Sequence, residues 1–344
     1  MKKRITNFWV VLLITGIWIT NAPLIAQSKF GTTAAQFLGI GIGARSIAMG
    51  GAFAAQSDDI SALYWNPAGI AKIDRVQVGF NHSQWLVNTS INSAGASLPA
   101  GGFGTFGVFV TSLDYGKMEV TTIDLEDGTG EQFGASDLVA QITWAKELTD
   151  QFSIGISAKL INQTIYRTSA QGIAIDVGFL FDTGLLPNGL RLGASVTNFG
   201  SKMRLEGEGL TVNYDQTGGS ESGVNSNVPA RLVTDGFDLP LNFRIGTAYD
   251  LIRNDATRWT LVMDTNIPND NAQSLSFGTE YAWKNILFLR AGYNALFEEE
   301  SEKGLTVGAG IRYELNGFAI RFDYTYQTYG RLNAPQWFAI GMEF

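Results

Sequence analysis

His82 is the only histidine in this 344-residue chain, and cysteine is absent. Metal sites built from several imidazoles or from thiolates are therefore excluded, as are a thiol nucleophile and a disulfide framework. A serine hydrolase would need its histidine and serine on one face, whereas the adjacent His82 and Ser83 point to opposite faces of a strand. Gly39, Gly41 and Gly43 suggest a phosphate cradle, but neither GxGxxG nor a terminal GK[ST] is present. Asp124, Glu126, Asp127, Gly128 and Glu131 lack the alternate-position acids of a calcium loop. Glu298, Glu299, Glu300 and Glu302 read as a charged loop tip. The expectation is a protein without catalytic residues, cofactor or resident metal.

A second set of charges is more regularly placed. Arg244, Asp264, Glu280, Arg290, Arg312, Arg321 and Asp323 sit at alternate positions of strand-like runs, and so do Lys159, Asp176, Arg191 and Glu314. Alternate positions share one face. Opposite charges on the inner wall of a restricted lumen should pair across neighbouring strands, because a desolvated, unpaired charge is costly. This predicts a lumen bridged by ion pairs and filled by the amino-terminal segment. The competing arrangement is a water-filled channel lined by solvated charges.

The elements that must hold these residues are strands. At the carboxyl end, Phe338, Ile340, Met342 and Phe344 share one face, while Ala339, Gly341 and Glu343 share the other. An amphipathic last strand ending on an aromatic fits a transmembrane barrel and serves as its assembly signal. From Arg75 onward we count fourteen strand-like runs, seven between residues 75 and 199 and seven between 240 and 344. Short connections at Pro99 to Gly102, Leu148 to Asp150, Gly184 to Asn188, Ile252 to Ala256, Asn285 and Asn316 fall on one side. The longest, 123 to 135 and 200 to 239, fall on the other. A soluble sandwich has no reason to sort its loops in this way. The fold class is therefore all-β, a 14-stranded antiparallel transmembrane β-barrel.

Outward sets include Phe152, Ile154, Ile156, Ala158 and Leu160, and Ile173, Ile175, Val177, Phe179 and Phe181. Trp85, Trp144, Trp259, Trp283, Tyr249, Tyr293 and Tyr329 lie near strand ends, where rings can form interfacial girdles.

Residues 27 to 74 differ from the strands, being rich in Gly and Ala without alternation, and read as a hatch or plug. Asn66, Pro67, Ala68 and Gly69 form a turn that bends the chain just before the first strand. Lys2, Lys3 and Arg4, an apolar run from Phe8 to Ile19 and small residues near Ala26 read as a signal peptide over residues 1 to 26. This gives three segments: 1–26 signal, 27–74 hatch and 75–344 barrel. The mature chain keeps 21 Lys and Arg against 32 Asp and Glu, a formal charge of −11. That acidity argues against nucleic acid. Expected partners are outer-membrane lipids and the barrel-assembly machinery.

The segment GARSIAMGGAFAAQSDDISALYWNPAGIAKI, with LPLNFRIG (Leu239 to Gly246), DTNIPNDN (Asp264 to Asn271) and LRAGYN (Leu289 to Asn294), resembles the PorV/PorQ family. That family is related to FadL-type outer-membrane transporters, and the NPAG turn is common to both. The resemblance implies an integral outer-membrane barrel of type IX secretion. Its partners would be secreted cargo or attachment components, met by the loop from Ser201 to Asp238. The alternative is a FadL-like conduit for hydrophobic small molecules, with Phe37, Leu38, Ile40, Ile42, Ile47, Met49 and Phe53 of the hatch facing the ligand. A purely structural barrel is a third possibility.

Overall fold

A computed structural model describes residues 31–214, 228–298 and 301–344. The expected signal peptide, the first residues of the hatch, residues 215–227 of the longest loop, and Glu299 and Glu300 lie outside the described residues.

Inward-facing and outward-facing residues alternate along fourteen antiparallel strands that close into a barrel. The first seven are β1 (Gln77–Gln84), β2 (Ser90–Pro99), β3 (Thr105–Glu119), β4 (Gln132–Thr149), β5 (Phe152–Ile165), β6 (Thr168–Asp182) and β7 (Leu190–Gly200). Three short strands follow. β8 (Leu205–Gly207) pairs with the end of β6, while β9 (Thr211–Tyr214) and β10 (Val228–Arg231) pair with each other. The barrel resumes with β11 (Asn242–Arg253), β12 (Thr257–Pro268), β13 (Ser274–Trp283), β14 (Leu287–Leu296), β15 (Lys303–Leu315), β16 (Phe318–Tyr329) and β17 (Gln336–Glu343). Each wall strand pairs with its neighbours in sequence; β7 joins β11, and β17 closes the ring against β1, from Gln77 opposite Glu343 to Gln84 opposite Gln336. Closure leaves no wall strand with an unpaired edge in lipid.

The alternation assigns the faces as the sequence suggested. On β6, Ile173, Ile175 and Phe179 are exposed on the outside, while Gly172, Ala174, Asp176 and Gly178 are buried within. Phe338, Met342 and Phe344 likewise point outward. The short turns cluster at one end of the barrel. At Asn316 and Gly317 both residues take positive φ, 43° and 100°, the geometry that matches strand twist in a two-residue hairpin.

Trp144, Trp259, Trp283, Tyr249 and Tyr293 follow outward parity. Trp85 and Tyr329 do not belong to this girdle, contrary to expectation. Tyr329 has the parity of the inward residues Asp323, Thr325 and Gln327, and Trp85 continues the inward series Gly79, Asn81 and Ser83. Both rings turn inside, where Trp85 packs edge-on to Tyr329 (5.4 Å) and to Trp337 (5.7 Å).

Candidate functional site

The hatch sits inside the barrel. Among its described residues it holds only short helical turns, Gln36–Gly39, Ala44–Ala48, Ala62–Trp65 and Pro67–Lys72, and most of Ala35 to Ser57 is buried. A segment this poor in regular structure must satisfy its backbone polar groups elsewhere, and the wall supplies the partners. Thr306 Oγ1 donates to the Ala48 carbonyl (2.9 Å) and accepts from the Gly50 N–H (3.1 Å). Gln141 donates to the Leu63 carbonyl (2.7 Å), and Ser195 to the Trp65 carbonyl (3.0 Å).

Glycine makes this approach possible. Gly79 faces Gly95, Gly155 faces Gly178, Gly193 faces Gly246 and Gly278 faces Gly292 across adjacent strands. A Cβ at Gly155 or Gly178 would collide with Asn66 to Ala68, at Gly193 with Ala54, and at Gly278 or Gly292 with Met49 and Gly50. The inner wall is thus a glycine belt into which the hatch backbone is keyed.

Asn66 anchors one side of this key. Its Oδ1 accepts from the Ala68 N–H (3.1 Å), and its amide donates to the carbonyls of Ala54 (2.7 Å) and Phe179 (3.0 Å). The NPAG turn therefore bends the chain before β1, as expected, and also ties two parts of the hatch to β6.

Charges lock the opposite side. Arg45 is the only basic residue between positions 31 and 71. Its Nε and Nη2 reach Glu280 Oε2 and Oε1 at 2.8 and 3.0 Å, and Nη1 reaches Asp59 at 2.9 Å and also Asp58. Glu280 accepts further from Arg290 (2.6 Å) and Arg258 (2.8 Å). Arg290 continues to Asp323 (2.7 Å), which Arg321 meets at 2.8 Å. Arg258, Arg290 and Arg321 stand at the second, fourth and fourth positions of their strands, so the cluster lies toward the short-turn end. Elsewhere on the wall Lys159 pairs with Asp176 (2.6 Å), Arg191 with Asp250 (3.0 Å) and Arg312 with Glu343 (2.8 Å).

Two of the inward charges expected to pair, Arg244 and Asp264, form no salt bridge among the described residues. Among the described residues Arg244 makes no ion pair; its guanidinium stacks over Trp65 (5.0 Å) and Tyr64 (5.5 Å) of the hatch. Asp264 instead accepts the backbone N–H groups of Phe53 and Ala54, both at 2.7 Å. Sequence reasoning also missed Arg45 as the hub of the network. Its signal was a solitary base in an apolar, Gly- and Ala-rich segment that also carries Asp58 and Asp59.

A cavity of about 320 Å³ lies at the long-loop end, between the hatch and the strand ends marked by Trp85, Pro268 and Tyr329. The hatch contributes Leu38, Ile40, Ile47, Tyr64 and Trp65, and the wall contributes Asn242, Arg244, Asp264 and Trp337 among others. Of the seven hatch residues expected to meet a ligand, Leu38, Ile40 and Ile47 line this space. Phe37, Ile42, Met49 and Phe53 are buried in the apolar packing of the hatch itself. Period-free sequence gives no parity by which to separate the two groups. His82, outside the site, lies with Nδ1 2.8 Å from Asn92 Oδ1 across β1 and β2.

A family profile described as "Outer membrane protein transport protein (OMPP1/FadL/TodX)" matches residues 28–178, the hatch and the first strands. The structure is similar to that of the CymD monoaromatic hydrocarbon channel, with 13% identity and a TM-score of 0.53 over 91% of this chain and 97% of that one. The Pseudomonas putida toluene transporter TodX is similar at 16% identity, TM-score 0.53, covering 92% and 98%. The TodX deltaS2S3 mutant channel gives 15% identity, TM-score 0.54, covering 88% and 98%. At these identities the likeness establishes the fold alone, a closed 14-stranded antiparallel β-barrel that matches those of FadL-type outer-membrane channels. No curated protein matches the chain by sequence.

Proposed function

We propose that this chain is an outer-membrane channel of the FadL/TodX group, admitting small, largely hydrophobic molecules through a barrel whose bore is occupied by the hatch. The observation that carries this reading is the cavity between the hatch and the long-loop end of the wall. A molecule entering from that side meets a concave, partly apolar site before the hatch. The profile match over the hatch and early strands, and the likeness to two channels for aromatic molecules, support the same reading. Family and fold relatives are transport proteins, which also argues against an enzyme.

The type IX secretion reading has no support from these comparisons. Residues 215–227 of the loop it relied on lie outside the described residues.

Uptake by intact cells tests the proposal. Expression in a strain lacking its own channel for hydrophobic compounds should raise the initial uptake rate of labelled toluene or fatty acid. Equal rates with and without the protein would reject it. Surface display of secreted cargo that depends on this chain would restore the secretion reading.

A further inference from the structure

The outer face of the wall is not equally apolar all the way round. Counted upward from the short-turn end, the outward positions of β16 are Phe318, Ile320, Phe322, Tyr324 and Tyr326. Those of β5 are Phe152, Ile154, Ile156, Ala158 and Leu160, and those of β6 are Phe181, Phe179, Val177, Ile175 and Ile173. All of these are apolar or aromatic. The same count beside β1 gives Val76, Val78 and Phe80, then His82 and Gln84. On β2 it gives Leu98, Ala96 and Ala94, then Asn92 and Ser90, and on β3 Phe106, Val108 and Val110, then Ser112 and Asp114. The polar residues form two continuous rows, because His82 faces Asn92 and Asn92 faces Ser112, while Gln84 faces Ser90 and Ser90 faces Asp114.

Strand geometry turns this count into a height. Successive outward residues lie about 6.7 Å apart along a strand, or about 5 Å apart in height at a tilt of about 40°. Five such positions span about 25 Å, the apolar height expected of an outer-membrane barrel, whereas three span about 15 Å. The band is therefore lower by about 10 Å along β1 to β3. The side chains above it suit headgroups rather than hydrocarbon. His82 Nδ1 lies 2.8 Å from Asn92 Oδ1, and the exposed Asp114 accepts from the Gly116 N–H at 2.8 Å. A carboxylate facing lipid at bilayer depth is unfavourable. The rows are continuous with the membrane belt on both sides, with Phe338 of β17 beside His82 and Leu138 of β4 beside Ser112, so lipid is what adjoins them. A bilayer that meets a short apolar band thins locally to match it.

We infer that the outer leaflet thins against β1 to β3 and that its lipid headgroups descend by about 10 Å to meet the His82–Asn92–Ser112 row and the row above it. Both rows lie toward the long-loop end, which faces the outside of the cell in barrels of this kind. On the inner face of the same stretch, Ser83 pairs with the cavity-lining Trp337. The lowered leaflet surface thus stands one strand layer from the cavity. This inference concerns the wall and does not depend on what the channel carries.

Because the chain has no cysteine, single substitutions give uniquely placed nitroxide labels. The purified protein is reconstituted into dioleoylphosphatidylcholine vesicles, and the collision rates of each label with oxygen and with a neutral nickel chelate report its depth. His82→Cys and Asn92→Cys should collide chiefly with the chelate and read about 10 Å shallower than Tyr324→Cys and Ala158→Cys, which hold the same rank on tall strands. Val87→Cys, in the loop after β1 where Val87 is 84% exposed, should read as aqueous. Heat-modifiable migration confirms assembly, and Ser112→Cys reports on the same row should either variant fail to assemble. Equal depths on the two sides, or Val87→Cys within the hydrocarbon, would overturn the inference by showing a bilayer of one thickness. Labels on the polar rows shielded from both collision partners would also overturn it, because a second copy of the chain would then cover them.

Discussion

Arg45 of the hatch and Glu280 of β13 meet in a two-pronged ion pair, Nε to Oε2 at 2.8 Å and Nη2 to Oε1 at 3.0 Å, with both side chains almost fully buried. They are 235 residues apart in the chain. The pair joins the hatch to the barrel wall.

Removing the hatch side of this pair should loosen the plug and leave the wall intact, since Glu280 keeps Arg290 and Arg258. Breaking a buried pair costs about 3–5 kcal/mol. Arg45→Met is therefore expected to convert a poorly conducting barrel into one with steady current in planar bilayers. Unchanged current would show that the glycine belt alone retains the hatch.

The belt makes its own prediction. Gly178 and Gly278 lie where a methyl group would overlap the hatch backbone at Asn66 to Ala68 and at Met49. Gly178→Ala and Gly278→Ala should each destabilise hatch docking by about 1–3 kcal/mol through overpacking. Protease sensitivity of residues 31–74 should rise while the barrel still migrates as a folded species on unheated gels. Gly317→Ala, in a turn far from the hatch, should leave hatch sensitivity unchanged.

Asn66→Ala deletes three hydrogen bonds around a fully buried side chain. With the Ala54 and Phe179 carbonyls left unpaired on that side, the expected loss is about 1–3 kcal/mol per orphaned group. Hydrogen exchange should accelerate at Ala68 and Gly69 first. Exchange unchanged from the wild type would remove Asn66 as an anchor.

Asp264→Asn tests the carboxyl clamp on Phe53 and Ala54. Phe53 and Ala54 both donate to Oδ2, so the amide oxygen can still accept both, but as a weaker acceptor than a carboxylate. Faster exchange at Phe53 and Ala54, with the Arg45 end of the hatch unaffected, is the expected pattern. A uniform response across the hatch would mean that it unlocks as one body.

Much of this architecture was legible in the residues. Alternation with period two placed Ile173, Ile175 and Phe179 outside and Asp176 inside, because a strand offers its two faces in strict turn. The same rule assigned Lys159, Glu280, Arg290 and Asp323 to the lumen, and desolvation required that they pair. For Tyr329 and Trp85, nearness to strand ends suggested a girdle, and the structure turned both rings inside.

What the chain alone determined was the wall: strand count, face assignment and the sign of each inward charge, all consequences of local periodicity. Closure of the barrel decided the rest. Which glycines meet the hatch, why Asp264 prefers two backbone N–H groups to Arg244, and how Asn242, Arg244 and Trp337 come to line one cavity depend on contacts between segments far apart in sequence. The hatch has no repeating pattern from which its facing could be read, so its partners were fixed only when the ring closed around it.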